Sequence, residues 1–247
     1  MTRSEFKRLF KSPGPVVLPV IHVLDAAQID RNVERVARAG AAGCFLINHD
    51  FGAEAFLPML AEARGRWSDL WMGANLLAVT GRDAFPRLDA LAEEGARLDA
   101  YWADDARIDE RSEAQTEAEA IASRRSGPWG GLYFGGVAFK KQRPVDPADY
   151  ERAARIAAKW MDVVTTSGVA TGEEADAAKI DAFRRGIGDR PLALASGVTP
   201  ENAARYGEVD AFLVATGVSA PGAFHDLDPA RLQTLLDVTR GMGARPK

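Results

Sequence analysis

Eight times along the chain, a short apolar run rich in Val, Ile, Leu and Phe gives way to a longer stretch with apolar residues at helical spacing. Such alternation favours a parallel sheet with its helices outside. Eight units in one chain favour closure into a single (β/α)8 TIM barrel, an α/β fold, over an open doubly wound sheet. The length of 247 residues is close to the roughly 250 typical of that barrel. No Gly-x-Gly-x-x-Gly follows the first run, which counts against a dinucleotide-binding sheet.

The pattern predicts strands at Val16–Val23, Gly43–Asn48, Leu70–Leu76, Leu98–Ala103, Val163–Thr166, Leu192–Ala195 and Ala211–Ala215. A further strand falls within 130–140 and ends at Lys140. Helices are predicted over Ile29–Ala39, Ala53–Arg64, Asp83–Glu94, Asp109–Ser123, Pro147–Trp160, Glu174–Arg185 and Asp228–Thr239, with a short one at Pro200–Tyr206. Asp146 and Asp228 read as N-caps, and Pro229 suits a first helical position. Residues 1–15 are expected to form a short helix or arm under the barrel, 16–240 the barrel itself, and 241–247 a flexible tail.

Composition narrows the partners. A net charge of -4 gives no basic surplus, so nucleic acid is not expected as a partner. The longest apolar run, Pro15–Leu24, is interrupted by Pro19 and His22 and is too short to span a membrane. The N-terminus lacks an apolar signal core, so a cytoplasmic protein without a membrane partner is expected. The single cysteine, Cys44, lies inside an apolar run and reads as a buried, inert thiol. A homodimer is the expectation on general frequency alone.

In a barrel of this kind, side chains at the C-terminal strand ends converge on one pocket, and the loops after strands seven and eight form a phosphate site. Two segments fit that description: Ala193-Leu-Ala-Ser-Gly-Val-Thr-Pro-Glu-Asn202 and Ala211-Phe-Leu-Val-Ala-Thr-Gly-Val-Ser219. Each is an apolar run broken by a hydroxyl residue and a glycine, which lets the backbone approach an anion. Ser196, Gly197, Thr216 and Gly217 are therefore the candidate phosphate ligands. The hydroxyl- and glycine-rich stretch 165–172 adds Thr166 and Gly168 to that edge.

The other strand ends supply His22, Asn48, Asn75, Asp104 and Lys140. Polar groups on apolar strands need a partner or a ligand. His22 or Lys140 could move a proton, and Lys140 could hold an anion. Asn48, His49 and Asp50 form a polar turn that could also bind substrate hydroxyls. Of Asp104 and Asp105, one faces the pocket and one solvent. Asp50 and Asp104 are the candidate carboxylates for a magnesium ion. No zinc pattern, nucleophile elbow or Walker loop is present, and no organic cofactor is indicated.

Val20-Ile-His-Val23, Asn48–Phe56, Gly73-Ala-Asn-Leu76, Val137-Ala-Phe-Lys140, Gly168-Val-Ala-Thr-Gly-Glu173 and Ser196-Gly-Val-Thr-Pro-Glu-Asn202 occur in that order. Together they resemble the BtpA family of (β/α)8 barrels, over roughly residues 16–240. The resemblance implies a phosphate-binding barrel. Members of that family usually carry Met-Val-His-Leu on the first strand, Asn-Phe-Gly after the second and Val-Lys-His-Ala on the fifth. Here the proline-rich loop after strand one is Leu24-Asp-Ala-Ala-Gln28, the lysine–histidine pair is Lys140-Lys141, and His49 and Asp50 precede Phe51-Gly52. These departures fall at the pocket mouth, so the substrate is expected to differ from the family's. The family has been linked to photosystem I assembly, and relatives occur among sugar-metabolism genes; no feature of this sequence indicates a photosynthetic role.

The expected function is an enzyme that binds a small phosphorylated metabolite, a sugar or ribosyl phosphate, for acid/base chemistry. Isomerisation, lyase cleavage and glycosyl or phosphoribosyl transfer all suit that layout. One alternative is a non-catalytic assembly or regulatory factor of the BtpA type. Another is a nucleotide- or nucleoside-processing enzyme in which Trp102, Trp129 and Tyr133 stack on a base.

Overall fold

The computed structural model describes residues 1–170 and 172–243. Eight parallel strands close into a barrel: β1 (Val16–Val23), β2 (Gly43–Asn48), β3 (Trp71–Asn75), β4 (Ala100–Ala103), β5 (Leu132–Gly136), β6 (Val163–Thr166), β7 (Leu192–Ala195) and β8 (Ala211–Val214), with β8 pairing to β1. Helix α1 (Arg3–Phe10) precedes them. The others are α2 (Ala26–Arg38), α3 (Ala53–Arg66), α4 (Gly81–Glu93), α5 (Thr116–Ser123), α6 (Tyr150–Ala157), α7 (Ala177–Ile187) and α8 (Pro229–Gly243). A small hairpin, β9 (Ser219–Ala220) with β10 (Ala223–Leu227), stands between β8 and α8. The chain is a single (β/α)8 TIM barrel.

Period-two alternation divides the strand side chains into two cores. Val16, Leu18 and Val20 of β1, Phe45 and Ile47 of β2, Ala100 and Trp102 of β4, and Ala211 and Leu213 of β8 fill the barrel interior. Their neighbours along each strand, such as Val17, Ile21, Leu46 and Phe212, pack outward against the helices. At the N-terminal end, α1 inserts the fully buried Phe6 into the inner core, 6.3 Å from the ring of Phe134.

A device recurs at that end. An aspartate stands just before three of the four even-numbered strands: Asp99 before β4, Asp162 before β6 and Asp210 before β8. Each carboxylate accepts the backbone N–H near the start of the preceding strand, from Met72, Tyr133 and Leu192 respectively. Each also pairs with an arginine from the outer layer: Arg64, Arg125 or Arg184. Those N–H groups are thereby satisfied by a side chain.

Several boundaries differ from the sequence pattern. Residues 109–115 form a loop rather than the start of a helix. Asp109 accepts from Arg111 N–H and its guanidinium, and the Gln115 amide donates to the Asp109 and Ser112 carbonyls. Short polar side chains compete there with the helical ladder. Pro147–Asp149 is a 3₁₀ turn begun by the Asp146 cap, and α6 starts only at Tyr150. The Pro200–Tyr206 segment is likewise not an α-helix but a 3₁₀ turn at Ala203–Arg205. Asn202 locks it by accepting from Thr199 N–H and donating to the Gly197 carbonyl. Helix α8, capped by Asp228, runs past residue 240 to Gly243, and 244–247 lie outside the described residues.

Candidate functional site

Strand parity decides which strand-end residues meet. On β1 the inward series Val16, Leu18, Val20 continues to His22. On β2, Phe45 and Ile47 lead to His49, and on β4, Ala100 and Trp102 lead to Asp104. All three end residues line one cavity at the C-terminal mouth, together with Lys140, Lys141, Ser196, Gly197, Thr216, Gly217 and Phe224. The space it encloses, counted out to the open mouth, is about 710 Å³. Asp105 has the opposite parity, and its carboxylate accepts the N–H of Arg107. The pleat thus settles which aspartate faces the cavity.

One wall is built by the loops after β7 and β8. Ser196 and Gly197 both have positive φ, 106° and 69°, and for serine that is a strained conformation. Glycine is required at 217 because a Cβ there would lie 1.9 Å from the Val198 carbonyl oxygen. The two loops are in backbone contact, leaving no room for a side chain between them. Among the described residues, the N–H groups of Gly197, Val198, Thr216 and Gly217 find no protein acceptor. The buried Ser196 hydroxyl also has no partner among the described residues. The free donors therefore come from tight turns rather than from a helix start at Thr199.

The facing wall holds ionisable groups. Asn75 donates to Asp104 Oδ1 at 3.0 Å, and its own Oδ1 is buried without a partner among the described residues. Burial raises the Asp104 carboxyl above its usual range, opposed by the Asn75 hydrogen bond and the Lys140 charge. Burial lowers the Lys140 ammonium, opposed by Asp104. His22, flanked by His49 at a ring-centroid distance of 4.5 Å, is pushed down to about 3, first by burial and then by the charges of His49, His225 and Lys140. At neutral pH it is an uncharged imidazole, and its Nδ1 is buried without a partner among the described residues. His22 can therefore donate or accept a hydrogen bond in this site but supplies no cation.

Lys140 does not end a strand. Strand β5 stops at Gly136, and 137–142 form a tight loop in which Ala138 and Lys141 have positive φ, 46° and 63°. Ser167 Oγ accepts the Lys140 N–H at 2.8 Å. Buried Lys179 on α7 donates to the carbonyls of Ala138 and Ser167, at 2.6 and 2.8 Å. Its ammonium lies 5.2 Å from the centre of the Tyr150 ring, while burial lowers it to about 8. Lys179 thus ties the β5 and β6 loops together under Lys140. Lys179→Met is expected to cost about 1–3 kcal/mol through two unpaired carbonyls. Hydrogen exchange should show lost protection at the Lys140 amide; unchanged protection would rule out the tie.

Of the residues expected from sequence, His22, Asp104, Lys140, Ser196, Gly197, Thr216 and Gly217 come together, and Asn75 adjoins them through Asp104. Asn48 and Thr166 have the outward parity. Asn48 bonds the Phe51 carbonyl and the Leu77 N–H, and Thr166 donates to the Val137 carbonyl. Gly168 is packed against the Glu173 carbonyl. Trp129 and Tyr133 belong to the outer core, away from the cavity. No sequence signal marked Phe224, and Lys141 and His49, though beside the expected Lys140 and Asn48, stood outside the expected site set; parity from Ile47 marks His49. Phe224 lies on a hairpin with no strand signal of its own. Asp50 is exposed beside the mouth. Among the described residues, no group of three or more His, Cys, Asp or Glu is placed to hold a metal ion. No helix among them is long and apolar enough to cross a membrane.

No protein-family model matches the chain. No curated protein matches it either, so the likeness to the BtpA family rests on its motifs. Solved structures share the fold. Phosphoribosyl anthranilate isomerase from Thermus thermophilus is similar with a TM-score of 0.58 at 16% identity, covering 90% of this chain and 97% of that one. The native KDPGal structure gives 0.63 at 12% identity, covering 92% and 95%. Phosphoribosylanthranilate isomerase from Thermotoga maritima gives 0.60 at 15% identity, covering 92% and 99%.

Proposed function

We propose that the chain is an enzyme acting on a small phosphorylated metabolite, a sugar phosphate or ribosyl phosphate, by acid/base chemistry. The observation that carries this reading is the pairing of two unlike walls across one cavity. One wall offers unclaimed N–H groups and a hydroxyl on the β7 and β8 loops; the other carries a carboxylate and an ammonium. An anion suits the first wall because its donors are fixed and unpaired. A reacting group suits the second, where burial moves both titrations toward neutrality. In this reading Ser196, Gly197, Thr216 and Gly217 hold the phosphate, Asp104 and Lys140 exchange protons with the substrate, and neutral His22 orients it by a hydrogen bond. Isomerase, lyase and glycosyl- or phosphoribosyl-transfer chemistry all fit such a set, and the shared fold does not choose among them. The family motifs support a BtpA-type barrel whose mouth has diverged.

A thermal-shift screen tests the proposal, using sugar phosphates, nucleotides, phosphoribosyl pyrophosphate and inorganic phosphate, with and without magnesium. A ligand that binds only the folded state stabilises it by mass action, by about 2.7 kcal/mol at a hundredfold excess over Kd, and so raises Tm. The expected result is a selective rise with a sugar or ribosyl phosphate that Ser196→Asp abolishes. No rise with any phosphorylated compound would overturn the reading and favour a non-catalytic factor.

A further inference from the structure

The phosphate wall accounts for only part of the cavity. Its floor is the apolar end of the inner core: Val20, Ile47, Leu213 and the indole of Trp102. Over one side stands Phe224 of β10, 40% exposed despite its size. Its ring centre is 4.3 Å from that of His22, tilted by 45°. The hairpin carrying it is held in place. Gln28 and Asn32 donate to the His225 carbonyl, Leu227 N–H donates to Asn32, and His225 Nδ1 lies 3.1 Å from the His22 carbonyl. The backbone that carries Phe224 is therefore anchored, and its ring packs against His22 at the cavity mouth.

A second observation concerns Trp102. Its side chain is 5% exposed, and its Nε1–H has no partner among the described residues. An indole N–H can only donate, and a buried one ordinarily finds an acceptor. The equally buried indole of Trp129 does so, giving its proton to the Leu98 carbonyl at 2.8 Å. Hydroxyl groups set against the apolar floor would lose their water without regaining partners. A flat ring matches the floor and the faces of Phe224 and His22, and an acceptor atom on it would satisfy Trp102.

We infer that the ligand of this cavity is a phosphate ester whose other end is a single flat, largely apolar ring bearing a hydrogen-bond acceptor, seated between Phe224 and Trp102. This rests on the phosphate-binding reading above, keeps its phosphate site, and narrows the small phosphorylated metabolite to one that carries such a ring.

Calorimetric titration of the full chain with inorganic phosphate, ribose 5-phosphate, phenyl phosphate and 4-acetylphenyl phosphate tests it. The aryl esters are expected to bind at least about tenfold tighter than ribose 5-phosphate. Phe224→Ala, on the exposed hairpin, should remove most of that advantage and leave inorganic phosphate binding unchanged. Trp102→Phe should erase the gain of the acetyl compound over phenyl phosphate. Equal or tighter binding of ribose 5-phosphate, with Ser196→Asp still abolishing it, would overturn the ring and leave the phosphate site standing. An aryl preference that survives Phe224→Ala would also overturn the proposed seat. Absence of binding by all four compounds would overturn both readings.

Discussion

Lys140→Met and Asp104→Asn should each lower turnover of the substrate found by ligand screening by about 10²–10⁴-fold, the range for a proton-transfer group. Neither should lower Tm. Burial raises the Asp104 carboxyl in the folded chain, so that group binds more protons folded than unfolded once pH passes 3.8. Its ionisation therefore weakens the fold as pH climbs through that window. Burial lowers Lys140 from 10.5, so below that pH the unfolded chain binds more protons and stability is again reduced. At neutral pH both charges are held at a cost, and their neutral replacements should melt at the same temperature or higher. Asparagine at 104 also keeps an oxygen for the Asn75 amide. Lost activity with retained or increased Tm separates a working group from a structural one.

The pH profile gives the same pair a second test. With Asp104 as base and Lys140 as acid, kcat/KM should follow a bell. Its acidic limb lies above the ordinary carboxylate value and its alkaline limb below the ordinary lysine value. Asp104→Asn should flatten the first limb and Lys140→Met the second. His22 should contribute no limb near neutrality, since it titrates at about 3. An acidic limb near 6.5 that His22→Gln removes would overturn that assignment and make His22 the base.

The barrel was legible in the sequence because eight apolar runs and eight helical periods are statements about burial, and burial is what closes the sheet. The β7 and β8 segments were legible because hydroxyl and glycine interrupt otherwise unbroken strands. Parity was the signal left unused. From Val16, Leu18 and Val20 it leads to His22, and from Phe45 and Ile47 it leads to His49 rather than Asn48. It likewise assigns Thr165, not Thr166, to the interior, where its hydroxyl is buried without a partner among the described residues. Other features carry no local pattern. Lys179 reads as an ordinary helix lysine until α7 is docked against the Ala138 and Ser167 carbonyls. Phe224 becomes part of the mouth only because Gln28 and Asn32 fix its hairpin from 190 or more residues away. The Leu98-Asp99-Ala100, Met161-Asp162-Val163 and Val209-Asp210-Ala211 repeats are visible in the chain, yet their meaning depends on the neighbouring strand.

The last of those aspartates should have the largest effect on stability. Asp210 has a fully buried side chain. One carboxylate oxygen accepts from Arg3 at 2.9 Å, and the other from Arg184 at 2.7 Å and the Leu192 N–H at 3.0 Å. Its backbone donates to the Leu192 carbonyl and accepts from Val16 N–H. One residue thus joins α1, α7, β7 and β1 beside the seam where β8 closes the barrel on β1. Asp210→Ala would leave the Leu192 N–H without its acceptor and the partly buried Arg184 without its buried carboxylate, its remaining hydrogen bonds going to the carbonyls of Gly188, Arg190 and Glu208. Breaking a buried ion pair from one side costs about 3–5 kcal/mol, which for a domain of this size lowers Tm by about 6–20 °C. Arg3→Ala should cost less, because Arg3 is partly exposed and its other partner, Glu208, sits 3.8 Å away near solvent. The Asp210→Ala, Arg184→Ala double variant should lose less than the two single losses combined, since the second change removes the charge stranded by the first. Denaturant unfolding of the four proteins measures that coupling. Strict additivity would mean that the pair acts as two separate surface contacts, and that burial of the inner core alone closes the seam.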